Sequence, residues 1–167
     1  PAYVRKGSDY SLPSTKMQDE SYKLIGWKKN GDSDDKIYKP GETIEADSDM
    51  KFTAVWSRDW KELQKLMKNG GNITLDDDYI SGADDTSLVV PANKSVVLDL
   101  NGHTIDRNLY NGDAVEGGSV IIAYGKLTIN DSSKDKSGVI TGGKTQEGAG
   151  GIIIKGGKVN LNGGTIK

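Results

Sequence analysis

Beyond Gly71 one short phrase is written four times, and that repetition constrains the fold more than anything else in the chain. It reads ITLDDDYI from Ile73, LDLNGHTI from Leu98, LTIND from Leu127 and VNLNGGTI from Val159. The third copy inserts DSSKDKSG before its isoleucine, Ile140. A second apolar phrase recurs as LVV at Leu88, VII at Val120 and III at Ile152. Self-similarity at such a spacing is the mark of stacked structural units. The apolar runs are short, rich in Val, Ile and Leu, and broken by Gly and Asn, which predicts strands rather than helices. No unit holds a second run to cover its own apolar face, so neighbouring copies must cover it.

Alternation along a strand then assigns the columns of the stack. Ile73, Leu98, Leu127 and Val159 are expected to form one inward column, Leu75, Leu100, Ile129 and Leu161 a second, and Ile80, Ile105, Ile140 and Ile166 a third. Thr74, Asp99, Thr128 and Asn160 are expected to point outward. Asp76, Asn101, Asn130 and Asn162 are expected at a corner, because Asp and Asn tolerate left-handed backbone. The expectation is a mainly β chain whose larger part is a short parallel β-helix of about four coils.

At 167 residues the chain suits one or two domains. Only 4 of its 22 glycines precede Ser57, which separates an N-terminal part from the repeats. The expected division is 1–57 and 58–167. A net charge of −2 gives no electrostatic case for nucleic acid or an anionic membrane. The absence of cysteine excludes disulfides and thiolate metal sites. No signal peptide or membrane span is visible, and a chain running from Pro1 to Lys167 reads as a piece of a longer protein.

In residues 1–57, YKLIGW from Tyr22 and MKFTAVW from Met50 alternate as half-buried strands, KNGDSDD from Lys29 is a polar loop, and Pro40-Gly41 marks a turn. Leu12-Pro13, Gly26-Trp27, Pro40-Gly41-Glu42 and Ala54-Val55-Trp56 together resemble the internalin-type B repeat, or Listeria–Bacteroides repeat, over most of residues 8–56. The resemblance implies a small β-grasp-like module carried in tandem on bacterial surface proteins. That family opens with an extra strand and a Gly-rich turn, for which only AYVRK stands here. Trp27 and Trp56 offer faces for sugar stacking, but large aromatics in so small a module more often fill its core.

SRDWKELQKLMKNGG is the one convincing helix, with Ser57 or Asp59 to cap its start, Gly70 to stop it, and Trp60, Leu63, Leu66 and Met67 on one face. It is expected to cover the apolar end of the stack, a better use than membrane binding for a helix of balanced charge. The helix followed by GGNITL resembles the entry segment of pectate-lyase-like β-helices of bacterial surface proteins, which implies a right-handed coil. The far end is expected to be open and prone to self-association.

Candidate chemistry is thin. His103, the only histidine, sits in a turn phrase with no nucleophile or ligand beside it. Asp76–Asp78 and Asp84-Asp85 offer oxygen ligands for calcium, but without the spacing of a calcium loop, so no cofactor is expected. Asp99 alone is acidic on the outward column, and Asp106-Arg107 makes one pair, so the paired carboxylates of a polysaccharide hydrolase or lyase are not evident. The expected function is non-catalytic: an adhesin or stalk segment on a bacterial surface, binding host or matrix protein or glycan. Its candidate contact residues are Asp99, Thr128, Asn160, Tyr110, Tyr124, and Asp131 and Asp135 of the insertion. A polysaccharide-active enzyme and a purely structural spacer are the alternatives.

Overall fold

A computed structural model of the chain describes residues 4–14, 21–31, 36–111, 113–146, 148 and 150–167. The chain divides into two compact units, Pro1–Ser57 and Arg58–Lys167. It is mainly β, with one helix among the described residues.

The first unit holds β1 (Asp9–Ser11), β2 (Tyr22–Lys29), β3 (Thr43–Glu45) and most of β4 (Phe52–Arg58). β1 pairs with β3 in antiparallel fashion, and β2 neighbours β4 in a second two-stranded sheet. Among its described residues the buried apolar ones are few: Leu12, Ile25 and Ala46. Gly26 lies where a Cβ would stand 2.2 Å from the Tyr38 carbonyl oxygen, so the Trp27–Tyr38 bridge requires glycine there. Trp27 and Trp56 are half-buried, not sealed in the core as expected, and the Trp27 indole donates to the Pro13 carbonyl at 2.8 Å. So small a module cannot enclose a whole indole ring and leaves its polar edge to a backbone partner. Val4–Lys6 form no strand; Ala2 and Tyr3, and Asp32–Asp35 of the polar loop, lie outside the described residues.

In the second unit α1 (Trp60–Asn69) leads into eleven strands. These are β5 (Gly71–Thr74), β6 (Tyr79–Ile80), β7 (Leu88–Val90), β8 (Ser95–Asp99), β9 (Thr104–Asp106), β10 (Ile121–Ala123), β11 (Lys126–Asn130), β12 (Val139–Thr141), β13 (Ile152–Ile154), β14 (Lys158–Leu161) and β15 (Thr165–Ile166). The chain visits three sheets in rotation, and every pairing within them is parallel. The sheets run β14-β11-β8-β5, β15-β12-β9-β6 and β13-β10-β7. Successive repeats thus supply successive strands to each sheet, and their inward residues form one core that includes Ile73, Leu98, Ile105, Leu127, Ile129 and Ile140.

The registers correct the expected columns. Leu98 pairs with Ile73 on one side and with Ile129, not Leu127, on the other; Leu127 pairs with Val96 and Val159. A slip of two residues keeps every side chain on its own face, so alternation cannot detect it, and Val96 provides the extra apolar position. Asp131 consequently follows Leu75 and Leu100 in the second column, where Ile129 was expected. Tyr79 rather than Ile80 pairs with Ile105, since the second copy accommodates one more residue at its corner, where Asn101 and Gly102 take left-handed backbone (φ 48° and 84°). In the other phrase Leu88, Ile121 and Ile152 share a rung, one residue away from the expected Val120.

Helix α1 closes one end of the stack. Asp59 caps it, accepting from the Lys61 amide at 2.9 Å, and Gly70 (φ 82°) ends it. Trp60, Leu63 and Met67 are buried, whereas Leu66 is 45% exposed, a correction to the expected face. Leu66 lies about 100° round the helix from Met67, off the edge of the buried stripe. Gln64 takes the fourth place: its amide donates to the Val89 carbonyl at 3.2 Å and accepts from the Val89 amide at 2.9 Å, so a side chain pairs the edge of β7 as a strand would. Gln64→Ala should cost about 1–3 kcal/mol by orphaning both groups. Faster hydrogen exchange at Val89, with α1 otherwise protected, is the measurement that checks it.

Candidate functional site

The outward face of the β5-β8-β11-β14 sheet gathers three of the seven contact residues singled out in the sequence, Asp99, Thr128 and Asn160. One outward row is Asn72, Val97, Thr128 and Asn160; the next is Thr74, Asp99, Asn130 and, at the end of β14, Asn162. Asn130 and Asn162 therefore belong to this face and not to the corner. The two-residue slip hid them, and the amide at the same place in LTIN and VNLN was the available signal. Asn162 Nδ2 donates to Asn130 Oδ1 at 2.9 Å, a rung of an amide ladder along the stack.

Asp99 ends β8 and is half-buried. Its Oδ1 accepts from the amides of Asn101 at 3.0 Å and Ser132 at 2.8 Å. Burial would raise this carboxyl, but the Ser132 amide and hydroxyl and the Asn101 amide outweigh it and hold the group below the ordinary aspartate value. It is a braced anion at the end of β8.

Asp131 corrects the expectation that it would meet a ligand. It is 4% exposed and turned into the stack. Oδ1 accepts from the Gly102 amide at 2.9 Å, the Ser133 amide at 3.1 Å and the Ser133 hydroxyl at 2.7 Å, and Oδ2 accepts from the Gly138 amide at 2.7 Å. Burial pushes its titration up; the Ser133 hydroxyl and the Gly138, Ser133 and Gly102 amides reverse this and leave it depressed. The inserted loop thus folds around its own carboxylate and clasps the preceding corner, with Lys136 donating to the Asp131 carbonyl. Asp135, at the exposed tip, accepts from the Ser137 hydroxyl at 3.1 Å.

Tyr110 and Tyr124 are exposed but belong to other sheets. The Tyr110 hydroxyl lies 3.4 Å from Thr141 Oγ1 beside β12, and Tyr124 occupies the turn between β10 and β11, its amide on the Val90 carbonyl. The structure therefore brings Asp99, Thr128 and Asn160 onto one face and leaves both tyrosines off it.

Two further features complete the polar inventory. His103 Nδ1 lies 3.5 Å from Asp78 Oδ1, which also accepts from the Thr104 amide, while Asp76 pairs with Arg58. Among the described residues no three His, Cys, Asp or Glu side chains converge as metal ligands. On the outside of the β7-β10 sheet an open cleft of about 350 Å³ is lined by Asp84, Asp85, Val89, Arg107, Glu116 and Ile122, among others. Arg107 is 5% exposed, donating from Nη1 to the Ser81 hydroxyl at 2.7 Å and from Nη2 to the Asp85 carbonyl at 2.5 Å. Burial lowers its titration. The sequence paired Arg107 with its neighbour Asp106; the side chain instead ties the end of β9 to the Ser81–Asp85 loop, where the Asp85 carboxylate accepts from the Gly82 amide at 2.8 Å.

Within the described residues no helix is long and apolar enough to cross a membrane. Comparison of the chain with protein-family models, curated proteins and solved structures yields no match.

Proposed function

We propose that the chain is a non-catalytic binding segment of a bacterial cell-surface protein: a B-repeat-like module followed by a right-handed parallel β-helix of four coils capped by α1. The observation that carries this reading is the outward face on which Thr128, Asn160, Asn130 and Asp99 stand in adjacent rows on rigid parallel strands. Hydroxyl, amide and carboxylate groups repeating at the strand spacing of about 4.8 Å suit the repeating hydroxyls and amides of an extended glycan or peptide. Host or matrix glycan or protein is the proposed partner class, and the proposed location is extracellular.

The double variant Thr128→Arg/Asn160→Arg tests this on a pooled array of polysaccharides and matrix proteins. Wild-type protein is expected to bind, and the variant to bind at least about tenfold more weakly with an unchanged circular dichroism spectrum, since two long cations on a flat polar face obstruct it. Equal binding by the variant would move the site elsewhere. Release of new sugar ends from any array polysaccharide would replace binding with catalysis.

One observation favours the spacer reading as second choice. The insertion spends Asp131, Ser133 and Ser137 on its own loop and on the neighbouring corner, which is how a brace is built. A wild-type protein that binds nothing on the array would support it.

A further inference from the structure

The cleft on the outside of the β7-β10 sheet lies wholly within the Arg58–Lys167 unit. Neither of its strands is a free edge. β7 meets Gln64 of α1 on one side and β10 on the other, and β10 is followed by β13. Val89 and Ile122 are neighbours across this pair of strands. Each stands between two fully buried residues, so alternation turns both outward, where they line the cleft.

Beside this apolar pair the cleft is lined by polar groups whose bonding capacity is unused. Asp84 and Glu116 are exposed and have no hydrogen-bond or ion-pair partner among the described residues. Asp85 spends one carboxylate oxygen on the Gly82 amide. Arg107 presents the opposite need. It is 5% exposed, its Nη1 and Nη2 are bonded to the Ser81 hydroxyl and the Asp85 carbonyl, and its Nε is buried with no acceptor among the described residues. Buried donors are almost always paired, so an orphan in the lining of a cleft marks a place for an acceptor. Asp84 and Glu116 can only accept, and Arg107 can only donate.

We propose that this cleft binds a neutral, polyhydroxylated ring, of which a hexopyranose is the simplest case. A hydroxyl donates to a carboxylate and accepts from a guanidinium through one oxygen. An anion would suit Arg107 but meet Asp84, Asp85 and Glu116; an ammonium would suit those three and offer nothing to Nε. The C–H face of the ring covers Val89 and Ile122. A volume of about 350 Å³ stands at the low end of the range of about 300–1,000 Å³ for small-molecule sites, which suits a ring and not a long chain. The cleft and the flat polar face belong to different sheets, so this inference does not rest on the function proposed above, and either can fail alone.

The test is a titration of the full chain with the methyl β-glycosides of glucose and galactose, followed by the methyl resonances of Val89 and Ile122. At least one glycoside is expected to move both resonances saturably. Glucuronate and butylammonium, the anionic and cationic controls, are expected to bind about tenfold more weakly. Asp84→Asn/Glu116→Gln, confined to exposed side chains, should weaken the glycoside about tenfold, and so should Arg107→Lys, which keeps the charge but removes Nε. Thr128→Arg/Asn160→Arg should leave its binding unchanged. The proposal is overturned if no glycoside moves the two resonances, if either control binds as tightly, or if either cleft variant keeps full affinity. Weaker glycoside binding by Thr128→Arg/Asn160→Arg would also overturn it, in favour of the flat face.

Discussion

Asp131→Ala is expected to destabilise the Arg58–Lys167 unit by about 3–5 kcal/mol, read as a lowered urea midpoint. The variant removes one buried carboxylate but orphans the amides of Gly102, Ser133 and Gly138 and the Ser133 hydroxyl together. Asparagine does not repair the site: one of its two head atoms is a donor, and whichever way it turns, that NH2 group faces a donating amide. Asp131→Asn is therefore expected to lose most of the same stability. The dependence on pH follows from the direction of the shift. A carboxyl depressed in the folded state adds stability that is fully present above its unfolded value of about 3.9 and disappears as pH falls through the folded value. Wild-type protein should thus lose stability steeply below about pH 4, through Asp131 and the similarly braced Asp99, and Asp131→Asn should flatten that slope. An equal slope in both proteins would mean that Asp131 is not the anion holding the loop.

Trp60→Ala is expected to cost a comparable amount, about 3–5 kcal/mol, by two mechanisms that can be separated. The indole is buried over the end of the core, so its removal leaves a cavity between α1 and the first repeat. Its Nε1 also donates to the Thr86 carbonyl at 2.8 Å, and that acceptor loses its partner. Trp60→Phe keeps most of the volume and forfeits the hydrogen bond, so it should recover more than half of the loss. Against a typical domain stability of about 5–15 kcal/mol, either alanine variant leaves little in reserve. Calorimetry on the whole chain should show the transition of Arg58–Lys167 moving to lower temperature while that of Pro1–Ser57 stays. Movement of both would show that the two units do not unfold independently.

Most of the fold was legible in the sequence because its signal is repetition. The strands near Ile73, Leu98, Leu127 and Val159 all exist, as does the helix from Trp60 with its Asp59 cap and Gly70 stop. What alternation cannot supply is register. A slip of two residues preserves inside and outside, so Leu98 was matched to Leu127 when Ile129 is its neighbour, and Asn130 and Asn162 were placed at a corner when they continue the Asp99 row. The same slip concealed Asp131. Its letters sit in a polar insertion and read as surface, yet the register sets it where Leu75 and Leu100 stand, and three donors in the loop with a fourth from Gly102 make an inward carboxylate tolerable there. Arg107 was equally unreadable, since its partners Ser81 and Asp85 come from the preceding turn of the stack and not from its neighbour in sequence. For the candidate site, Asp99, Thr128 and Asn160 were found from their outward parity alone, whereas Tyr110 and Tyr124 were chosen as neighbours of that face and lie on other sheets.

The single helix at one end gives the molecule a direction. Where every layer leans only on its neighbours, the free energy of local opening is lowest at an uncovered terminus. Helix α1 removes that weakness from the β5-β6-β7 layer, so exchange protection at Leu75 and Leu88 should equal that at Leu98 and Ile105. The same asymmetry governs how such a chain changes length over evolutionary time. A repeat gained or lost on the side of the stack away from α1 leaves the helix, the Gln64 clamp and the Asp131 clasp undisturbed, whereas the identical event beside Gly71 would have to rebuild all that the helix grips.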